Sequence, residues 1–356
     1  MESSALEHYF LASPGILGVR TTLPNLKWSF GINMPSCSAG EFESCALRLD
    51  LQVVRNQEFS TNGFKPGAAV LGKYHYFSGA QGEDKLLYRR PFLFSSELLL
   101  EVSGLVANKP SIRVNPTYYK YVSHRFMNLH SVGYIMTDIT ALELLRMGYV
   151  ALHCSAFRVE GRTVVVFAPP NTGKTLTTMT ACMDHGADFL AEDLGISDGS
   201  VLYPVPWTST FRYYSKVEKS ASARVINTLT NAIPFIELIS IGKRRPVTDY
   251  IDGCRIAQPS QITDVVLLER GQEEVSQCTT DEILAKLVNL NRFEFWYSKS
   301  PLITAYEYFN PELDVAGAIK TEQELLRKTA ENACQRLVVR ASDPARYASL
   351  ILGALG

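Results

Sequence analysis

A short apolar run that leads into a turn with glycine and lysine is the feature that most constrains the fold of this chain. The run covers residues 163–168, the turn ends in Gly173-Lys174-Thr175, and a helical pattern follows over residues 174–185. The N–H groups in the first turn of a helix have no intrahelical partner, and the helix dipole adds positive charge there, so phosphate anions bind at this position. The order of strand, turn and helix therefore predicts a nucleotide phosphate loop.

The residues of this loop have separate expected roles. Lys174 is expected to neutralise the β- and γ-phosphates, and the Thr175 hydroxyl to coordinate Mg²⁺. Ala168 stands where the consensus loop has its first glycine, and alanine limits positive φ. Pro169 and Pro170 have no amide hydrogen. The phosphate-facing donors are therefore expected from the remaining loop residues, which are Asn171, Thr172, Gly173, Lys174 and Thr175.

Two adjacent acids follow the predicted helix. Glu192 and Asp193 lie near the end of an apolar run over residues 188–194, where the neighbouring strand is expected to return beside the loop. Adjacent side chains of a strand point to opposite faces, so one acid is expected to face the metal or the acceptor unless the strand ends between them. The alternative is a solvated pair at a strand end.

A single histidine precedes the loop strand. His153 lies in a strand-like run over residues 150–157, and a turn at Glu160-Gly161 separates this run from the loop strand. A hairpin or a neighbouring strand would bring His153 toward the phosphate loop. The alternative is a hydrogen-bonded core histidine, which is the more common situation for a single histidine in an apolar run.

The chain is expected to form two domains. Short runs rich in β-formers occupy residues 15–120, and Leu47–Val53 alternates apolar with polar side chains, which is typical of a strand with one solvated face. From about residue 136 helical patterns and apolar strands follow, and their spacing indicates a crossover unit in a largely parallel sheet. We expect a β-rich N-terminal domain over residues 1–130 and an α/β domain over residues 131–356.

The composition limits the classes of function. Hydrophobic residues make up 46% and charged residues 20% of the chain, which excludes a disordered protein as the main state. Lys and Arg (35) nearly balance Asp and Glu (36), so neither nucleic acid nor a membrane is expected as the main partner.

The sequence has no apolar run that would span a bilayer, and Met1 is not followed by the layout of a secretory signal. Seven separated cysteines without a C-x-x-C pair are expected to be free thiols of a cytoplasmic protein.

A larger set of residues resembles a known family. The set comprises a histidine segment, a turn, the loop, a helix end and the acidic pair: Leu152-His153-Cys154-Ser155-Ala156, Glu160-Gly161, Gly173-Lys174-Thr175, Gly186 and Ala191-Glu192-Asp193. It resembles the catalytic domain of HPr kinase/phosphorylase and its serine-kinase relatives, a P-loop fold also related to phosphoenolpyruvate carboxykinase. The resemblance covers residues 140–215, is weaker over residues 261–271 and is absent before residue 120.

The resemblance implies an α/β fold with a P-loop HPr-kinase-like catalytic domain behind the β-rich N-terminal domain. It implies ATP and Mg²⁺ as cofactors, residues 168–175 as their loop, and a position near the phosphates for His153. In the family the first of two adjacent acids is treated as the base for the acceptor hydroxyl, and the second lies near the metal. The resemblance therefore gives Glu192 the role of base and makes Thr175 and Asp193 the metal ligands. Relatives assemble into homo-oligomers, and the same is implied for this chain.

Two features concern the substrate. The Glu-Ile-Arg-Gly-like signature of the family is not found, so HPr itself is not expected to be the acceptor. Phosphoryl transfer also requires a cation for the developing charge. The candidates are basic residues in the second half of the chain, namely Arg212, Lys243, Arg244, Arg245 and Arg255.

The first functional hypothesis is an ATP- and Mg²⁺-dependent kinase. Lys174 would gather the phosphate charge together with Mg²⁺, and Glu192 or Asp193 would accept the proton of the acceptor hydroxyl, a serine of a protein or peptide or a small-molecule alcohol. The alternative is a nucleotide-binding regulatory or assembly module without phosphoryl transfer, which the two loop prolines and the glutamate at position 192 favour. A third hypothesis, carboxykinase-like chemistry on a small acid, needs metal ligands and a substrate-binding arginine that the sequence does not identify.

Overall fold

The computed structural model divides the chain into two compact units. The first comprises Met1–Phe30, Pro35–Val150 and Arg292–Glu324, and the second comprises Gly31–Met34, Ala151–Asn291 and Leu325–Gly356. The residues that the structure describes are 6–24, 26–28, 31–32, 36–59, 68–71, 74–79, 83–92, 96–122, 131–208, 245–246, 248 and 253–356.

A mixed eight-stranded sheet dominates the first unit. The strands up to residue 114 are β1 (His8–Ser13), β2 (Leu17–Thr21), β3 (Lys27–Trp28), β4 (Gly31–Ile32), β5 (Leu47–Val53), β6 (Ala68–Leu71), β7 (Tyr74–Ser78), β8 (Lys85–Pro91), β9 (Glu97–Ser103) and β10 (Ser111–Val114). The order in the sheet is β1-β2-β5-β10-β9-β8-β7-β6. In β5 the side chains of Leu47, Leu49 and Leu51 are buried while Arg48 and Asp50 between them are partly exposed, which confirms the predicted alternation.

The helix Val132–Arg146 belongs to this first unit. Nearly all of its side chains are buried, including the carboxyl group of Glu143. The Trp28 indole N–H donates to the Thr137 hydroxyl at 3.1 Å, and this bond joins the helix to the N-terminal segment. The compact units therefore differ from the expected division at residue 130, because this helix and residues 292–324 lie with the N-terminal sheet.

The second unit contains a six-stranded and a four-stranded sheet. Its strands and those adjoining it are β11 (Val150–Leu152), β12 (Ser155–Val159), β13 (Arg162–Phe167), β14 (Asp188–Ala191), β15 (Gly195–Ser197), β16 (Val201–Tyr203), β17 (Trp207–Thr208), β18 (Arg245–Pro246), β19 (Ser260–Gln261), β20 (Asp264–Arg270), β21 (Glu274–Gln277) and β22 (Gln335–Ala341). The sheet orders are β14-β12-β13-β20-β22-β21 and β11-β15-β16-β19.

The prediction of a largely parallel sheet was wrong, because three of the five neighbouring strand pairs in the six-stranded sheet are antiparallel, namely β12–β14, β12–β13 and β21–β22. β13, β20 and β22 are parallel neighbours, but β12 pairs antiparallel with β13 and lies between β13 and β14. The cause is the tight turn at Glu160 and Gly161, where both residues have positive φ and the chain folds back on itself. This turn confirms the predicted hairpin, and it means that the strand with the acids does not lie directly beside the loop strand.

Helices cover the sheets, so the chain is a mixed α/β protein. The described α-helices are Ala39–Glu43, Pro116–Tyr121, Val132–Arg146, Lys174–Asp184, Thr280–Glu294, Pro301–Phe309, Val315–Asn332 and Tyr347–Leu355, with 3₁₀ segments at Asn56–Glu58, Tyr297–Lys299, Pro311–Leu313 and Pro344–Arg346. None of the helices in the described ranges combines the length and the apolar character needed to cross a membrane.

The helix Lys174–Asp184, here called the loop helix, packs on one face of the six-stranded sheet. Its Met179 side chain lies in a buried apolar cluster with Phe157 of β12, Val166 of β13 and Tyr347 of the last helix. This packing fixes the start of the loop helix against the end of β13.

Candidate functional site

One edge of the six-stranded sheet collects the ends of several strands. β13, β20 and β22 run in the same direction, and β12 runs antiparallel to both β13 and β14. β14 therefore runs in the same direction as β13. The carboxyl ends of β13, β14, β20 and β22 and the start of β12 lie at this edge, which is where open α/β sheets bind their ligands.

The turn between β13 and the loop helix requires glycine at one position. Gly173 has a φ of 130°, and a Cβ there would lie 2.9 Å from Pro344 Cβ, so both the backbone and the space favour glycine. Asn171 also has positive φ, at 60°. Ala168 is buried and is not among the residues with positive φ, so alanine fits the position of the first consensus glycine without strain.

The N–H groups of this turn divide into two groups. The Thr172 N–H donates to the Pro169 carbonyl at 3.3 Å and is used within the turn. Gly173 is the N-cap residue, and the first backbone bond of the loop helix runs from the Thr177 N–H to the Gly173 carbonyl at 2.9 Å. The earlier N–H groups of the helix lie where a helix binds anions.

Lys174 contacts His153 inside the site. The Lys174 Nζ donates to His153 Nε2 at 2.5 Å, and both side chains are buried. Burial and the nearby lysine charge lower the pKa of His153 to about 3, although a hydrogen bond with the Asp193 backbone acts in the opposite direction. The ring is therefore neutral at physiological pH and serves as an acceptor that holds the ammonium group of Lys174.

Asn291 fixes the backbone that precedes β12. Its side-chain oxygen accepts the His153 N–H at 3.1 Å, and its side-chain nitrogen donates to the Ala151 carbonyl at 3.0 Å. Asn291 lies in the helix Thr280–Glu294, and its side chain is buried. No motif in the sequence indicated this residue, because it lies far from the loop along the chain.

Thr175 contacts Glu192. The Thr175 hydroxyl donates to Glu192 Oε1 at 2.7 Å, and both residues are buried. A hydroxyl and a carboxylate oxygen this close together are the ligand type of Mg²⁺, which is usually bound by one or two protein oxygens together with phosphate oxygens and waters. Within the described residues no group of three or more His, Cys, Asp and Glu side chains could hold a metal ion by itself, and the Thr175–Glu192 pair fits a shared site of this kind.

Asp193 occupies a different position from Glu192. β14 ends at Ala191, and Asp193 has a φ of 64°, so the opposite-face rule for adjacent strand residues does not apply to the two acids. The Asp193 side chain is partly exposed, whereas Glu192 is buried. Burial raises the pKa of Cys154 to about 12, and the charge of Asp193 acts in the same direction, which places that carboxylate near the start of β12.

Of the cations expected from the sequence, Arg255 is the one whose side chain is described, and it does not lie at this edge. Arg212, Lys243 and Arg244 are outside the described residues, and of Arg245 only the backbone in β18 is described. The Arg255 Nε donates to Asp188 Oδ1 at 2.7 Å. Because Asp188 is the first residue of β14, Arg255 lies at the opposite end of that strand from the two acids.

Arg270 is a cation at the loop that sequence reasoning missed. It is the last residue of β20, its Nη1 donates to the Ser342 carbonyl at 2.9 Å, and its Nη2 donates to the Asn171 carbonyl at 3.4 Å. The side chain is exposed. The sequence feature that could have identified Arg270 is its position at the end of an apolar run, because the carboxyl ends of parallel strands lie at the same edge of a sheet.

Comparison with known proteins gives no assignment: no protein-family model matches this chain, and no curated protein matches it significantly.

Proposed function

We propose that this chain binds a magnesium-bound nucleoside triphosphate, with ATP as the expected nucleotide, and transfers the terminal phosphoryl group to a hydroxyl. The main support is the hydrogen bond between Thr175 and Glu192, which joins the start of the loop helix to the segment after β14. P-loop enzymes hold Mg²⁺ between a loop hydroxyl and an acid of another strand in this way. An HPr-kinase-like catalytic domain is part of the same proposal.

Lys174 and the loop N–H groups bind the phosphates in this proposal. The buried ammonium group of Lys174 is oriented by the neutral His153 ring at 2.5 Å, so its charge is fixed before the nucleotide arrives. A bound Mg²⁺ ion would supply further positive charge for the phosphates, with Thr175 and Glu192 as its protein ligands. Catalysis then rests on alignment and charge rather than on covalent chemistry.

Asp193 is the proposed base. It is partly exposed and adjacent to Glu192, so it can receive the proton of an acceptor hydroxyl that enters from solvent. Glu192 is buried against Thr175 and is better suited to the metal. This assignment exchanges the two roles that the family resemblance implies for Glu192 and Asp193.

Arg270 is the proposed cation for the charge that develops during transfer. Its guanidinium group lies beside the loop, bonded to the Asn171 carbonyl, and a short movement of this exposed side chain would direct it toward the terminal phosphate.

Transfer of labelled phosphate from [γ-³²P]ATP tests this proposal. The acceptors are mixed serine peptides and small polyols, and the variants are Lys174→Met and Asp193→Asn, with Lys320→Met as a control at an exposed lysine. We expect Mg²⁺-dependent labelling by the wild type and by Lys320→Met. Both site variants should lose at least about 100-fold in rate, because general base catalysis and electrostatic stabilisation each contribute about that much.

The alternative is a nucleotide-binding regulatory or assembly module. The lack of amide hydrogens at Pro169 and Pro170 favours it, since a shorter set of donors is better suited to holding a nucleotide than to accelerating transfer. Tight ATP binding without labelling of any acceptor, and without hydrolysis above the level of Lys174→Met, would support this alternative and overturn the kinase proposal.

A further inference from the structure

Two cysteines meet at the end of the loop helix, away from the phosphate loop. Cys182 lies in the last turn of the helix Lys174–Asp184, and its thiol lies close enough to the thiol of Cys254 for the two groups to interact. Cys182 is buried, whereas Cys254 is partly exposed at the rim of the same apolar cluster. The pair is thus accessible to a small solute from one side only.

Backbone hydrogen bonds hold the two cysteines in place. The Ala187 N–H donates to the Ala181 carbonyl at 3.1 Å, next to Cys182. The Phe189 N–H donates to the Arg255 carbonyl at 2.8 Å, next to Cys254. The backbone next to each cysteine is therefore hydrogen-bonded to the start of β14. These bonds hold the two residues near each other, so their proximity does not depend on one flexible side chain.

We propose that Cys182 and Cys254 form a reversible disulfide when the protein meets a hydroperoxide, so that this pair is an oxidation site separate from the nucleotide site. Among the described residues Cys37 and Cys45 also lie near each other, but burial raises the pKa of both of these thiols. Redox-responsive sites combine an accessible cysteine with a second thiol nearby, and this pair has both.

The difference in exposure assigns a role to each sulfur, because a peroxide reaches the partly exposed Cys254 before the buried Cys182. The nearby Cys182 side chain lowers the pKa of Cys254, and the charge of Arg255 acts in the same direction. The nearby Cys254 side chain and burial raise the pKa of Cys182. By contrast, burial raises the pKa of four other thiols, namely Cys37, Cys45, Cys154 and Cys278. Cys254 is therefore the attacking sulfur and Cys182 the resolving thiol.

The reaction balances with hydrogen peroxide as the oxidant. The Cys254 thiolate attacks one peroxide oxygen, the O–O bond breaks, and hydroxide leaves to give the sulfenic acid Cys254–SOH. The Cys182 sulfur then attacks the Cys254 sulfur, the S–O bond breaks, and water leaves with the Cys182 proton. In sum, two thiols and one H₂O₂ give one disulfide and two waters, and an added dithiol or phosphine reverses the oxidation.

Peptide mapping of the intact protein under non-reducing conditions tests the proposal. The full chain is titrated with H₂O₂, alkylated and digested, with and without later reduction by a phosphine. We expect a linked peptide containing Cys182 and Cys254, two hydrogens lighter than the sum of its parts, to accumulate before the exposed Cys334 is modified. Its loss after reduction is also expected. Oxidation of Cys334 without this linked peptide would overturn the proposal.

The single variants distinguish the two roles. In Cys182→Ser the Cys254 sulfur should stop at the sulfenic acid and react with dimedone, while in Cys254→Ser the buried Cys182 should remain a thiol at the same dose. Cys334→Ser is the matched control and should form the linked peptide as the wild type does. Equal dimedone labelling of Cys254 in the wild type and in Cys182→Ser would contradict the resolving role. If Cys182→Ser does not fold, Cys182→Ala replaces it, and the wild-type map decides the proposal by itself.

Discussion

The Thr175 hydroxyl donates a hydrogen bond of 2.7 Å to the carboxylate of Glu192. Thr175 lies in the first turn of the loop helix, which follows β13, and Glu192 follows β14; the antiparallel strand β12 lies between β13 and β14 in the sheet. The contact forms because β13 and β14 run in the same direction and end at the same edge. It places an oxygen pair of the kind that binds Mg²⁺ at the start of the loop helix.

Removal of the Thr175 hydroxyl should weaken the response to magnesium. Thr175→Val keeps the size of the side chain but deletes one proposed ligand, so we expect the Mg²⁺ concentration for half-maximal nucleotide binding to rise about 10-fold or more. Thr175→Ser should remain close to the wild type. The control is Thr178→Val in the same helix, because that buried hydroxyl has no hydrogen-bond partner among the described residues. Equal magnesium dependence in both valine variants would remove Thr175 from the metal site.

Substitution of Gly173 should disrupt the loop more than substitution of another glycine with positive φ. In Gly173→Ala the new methyl group would meet Pro344 at 2.9 Å, in addition to the backbone strain at a φ of 130°. Gly186→Ala, at the other end of the loop helix, has strain but nothing within 4 Å. We expect Gly186→Ala to cost about 1 kcal/mol of stability with nucleotide binding retained, and Gly173→Ala to reduce binding at least about 10-fold. Fluorescent-nucleotide titration and urea unfolding measure the two quantities.

Asn291 should contribute to stability through two buried hydrogen bonds. Asn291→Ala leaves the His153 N–H and the Ala151 carbonyl without that partner, so we expect a loss of about 2–4 kcal/mol in the free energy of unfolding. Asn332→Ala removes an exposed amide bonded to Ser200 at 2.8 Å and should cost less than about 1 kcal/mol. Urea unfolding that gives equal losses for the two variants would show that the buried amide has no special role.

The titration of Glu143, which lies in the first unit, should make the free energy of unfolding depend on pH. Burial raises its pKa from 4.5 to about 7, against the opposing effect of Arg146 at 3.0 Å. The folded state therefore binds the proton more tightly than the unfolded state, and stability is lost as pH rises from about 4.5 to about 7, by roughly 3 kcal/mol in total. In Glu143→Gln this component disappears, so its free energy of unfolding should fall less over this range.

Urea unfolding at several pH values measures this difference. Glu324→Gln, at an exposed acid, is the control and should keep the wild-type slope. A slope in Glu143→Gln that equals the wild-type slope would mean that Glu143 does not titrate in this range.

The local elements of the site could be predicted from the sequence, but their arrangement could not. The apolar run, the turn with Gly173 and the loop helix follow from local preferences, and β13 and the helix lie within a residue or two of the predicted positions. The position of β12 between β13 and β14 depends on which strands pair, and strand pairing is set by contacts that are distant in sequence. The same is true of Arg270 and Asn291, whose roles depend on neighbours far along the chain.

The acids illustrate the same limit. An alternating strand predicts that Glu192 and Asp193 point to opposite faces, but β14 ends at Ala191 and Asp193 takes a left-handed conformation. Because such a conformation is rare for a residue with a side chain, the sequence pattern does not indicate it. The sequence alone therefore does not indicate that Glu192, and not Asp193, is the partner of Thr175.

Calorimetric titration of the protein with ATP, with and without Mg²⁺, tests the central claim most directly. The claim is that the turn ending at Thr175 binds a triphosphate and that Glu192 helps to hold its metal. We predict saturable binding of one MgATP per chain, a marked loss of affinity in EDTA, and a smaller dependence on Mg²⁺ in Glu192→Gln. The absence of a binding isotherm with any magnesium nucleoside triphosphate, for a protein that is folded by circular dichroism, would contradict the claim.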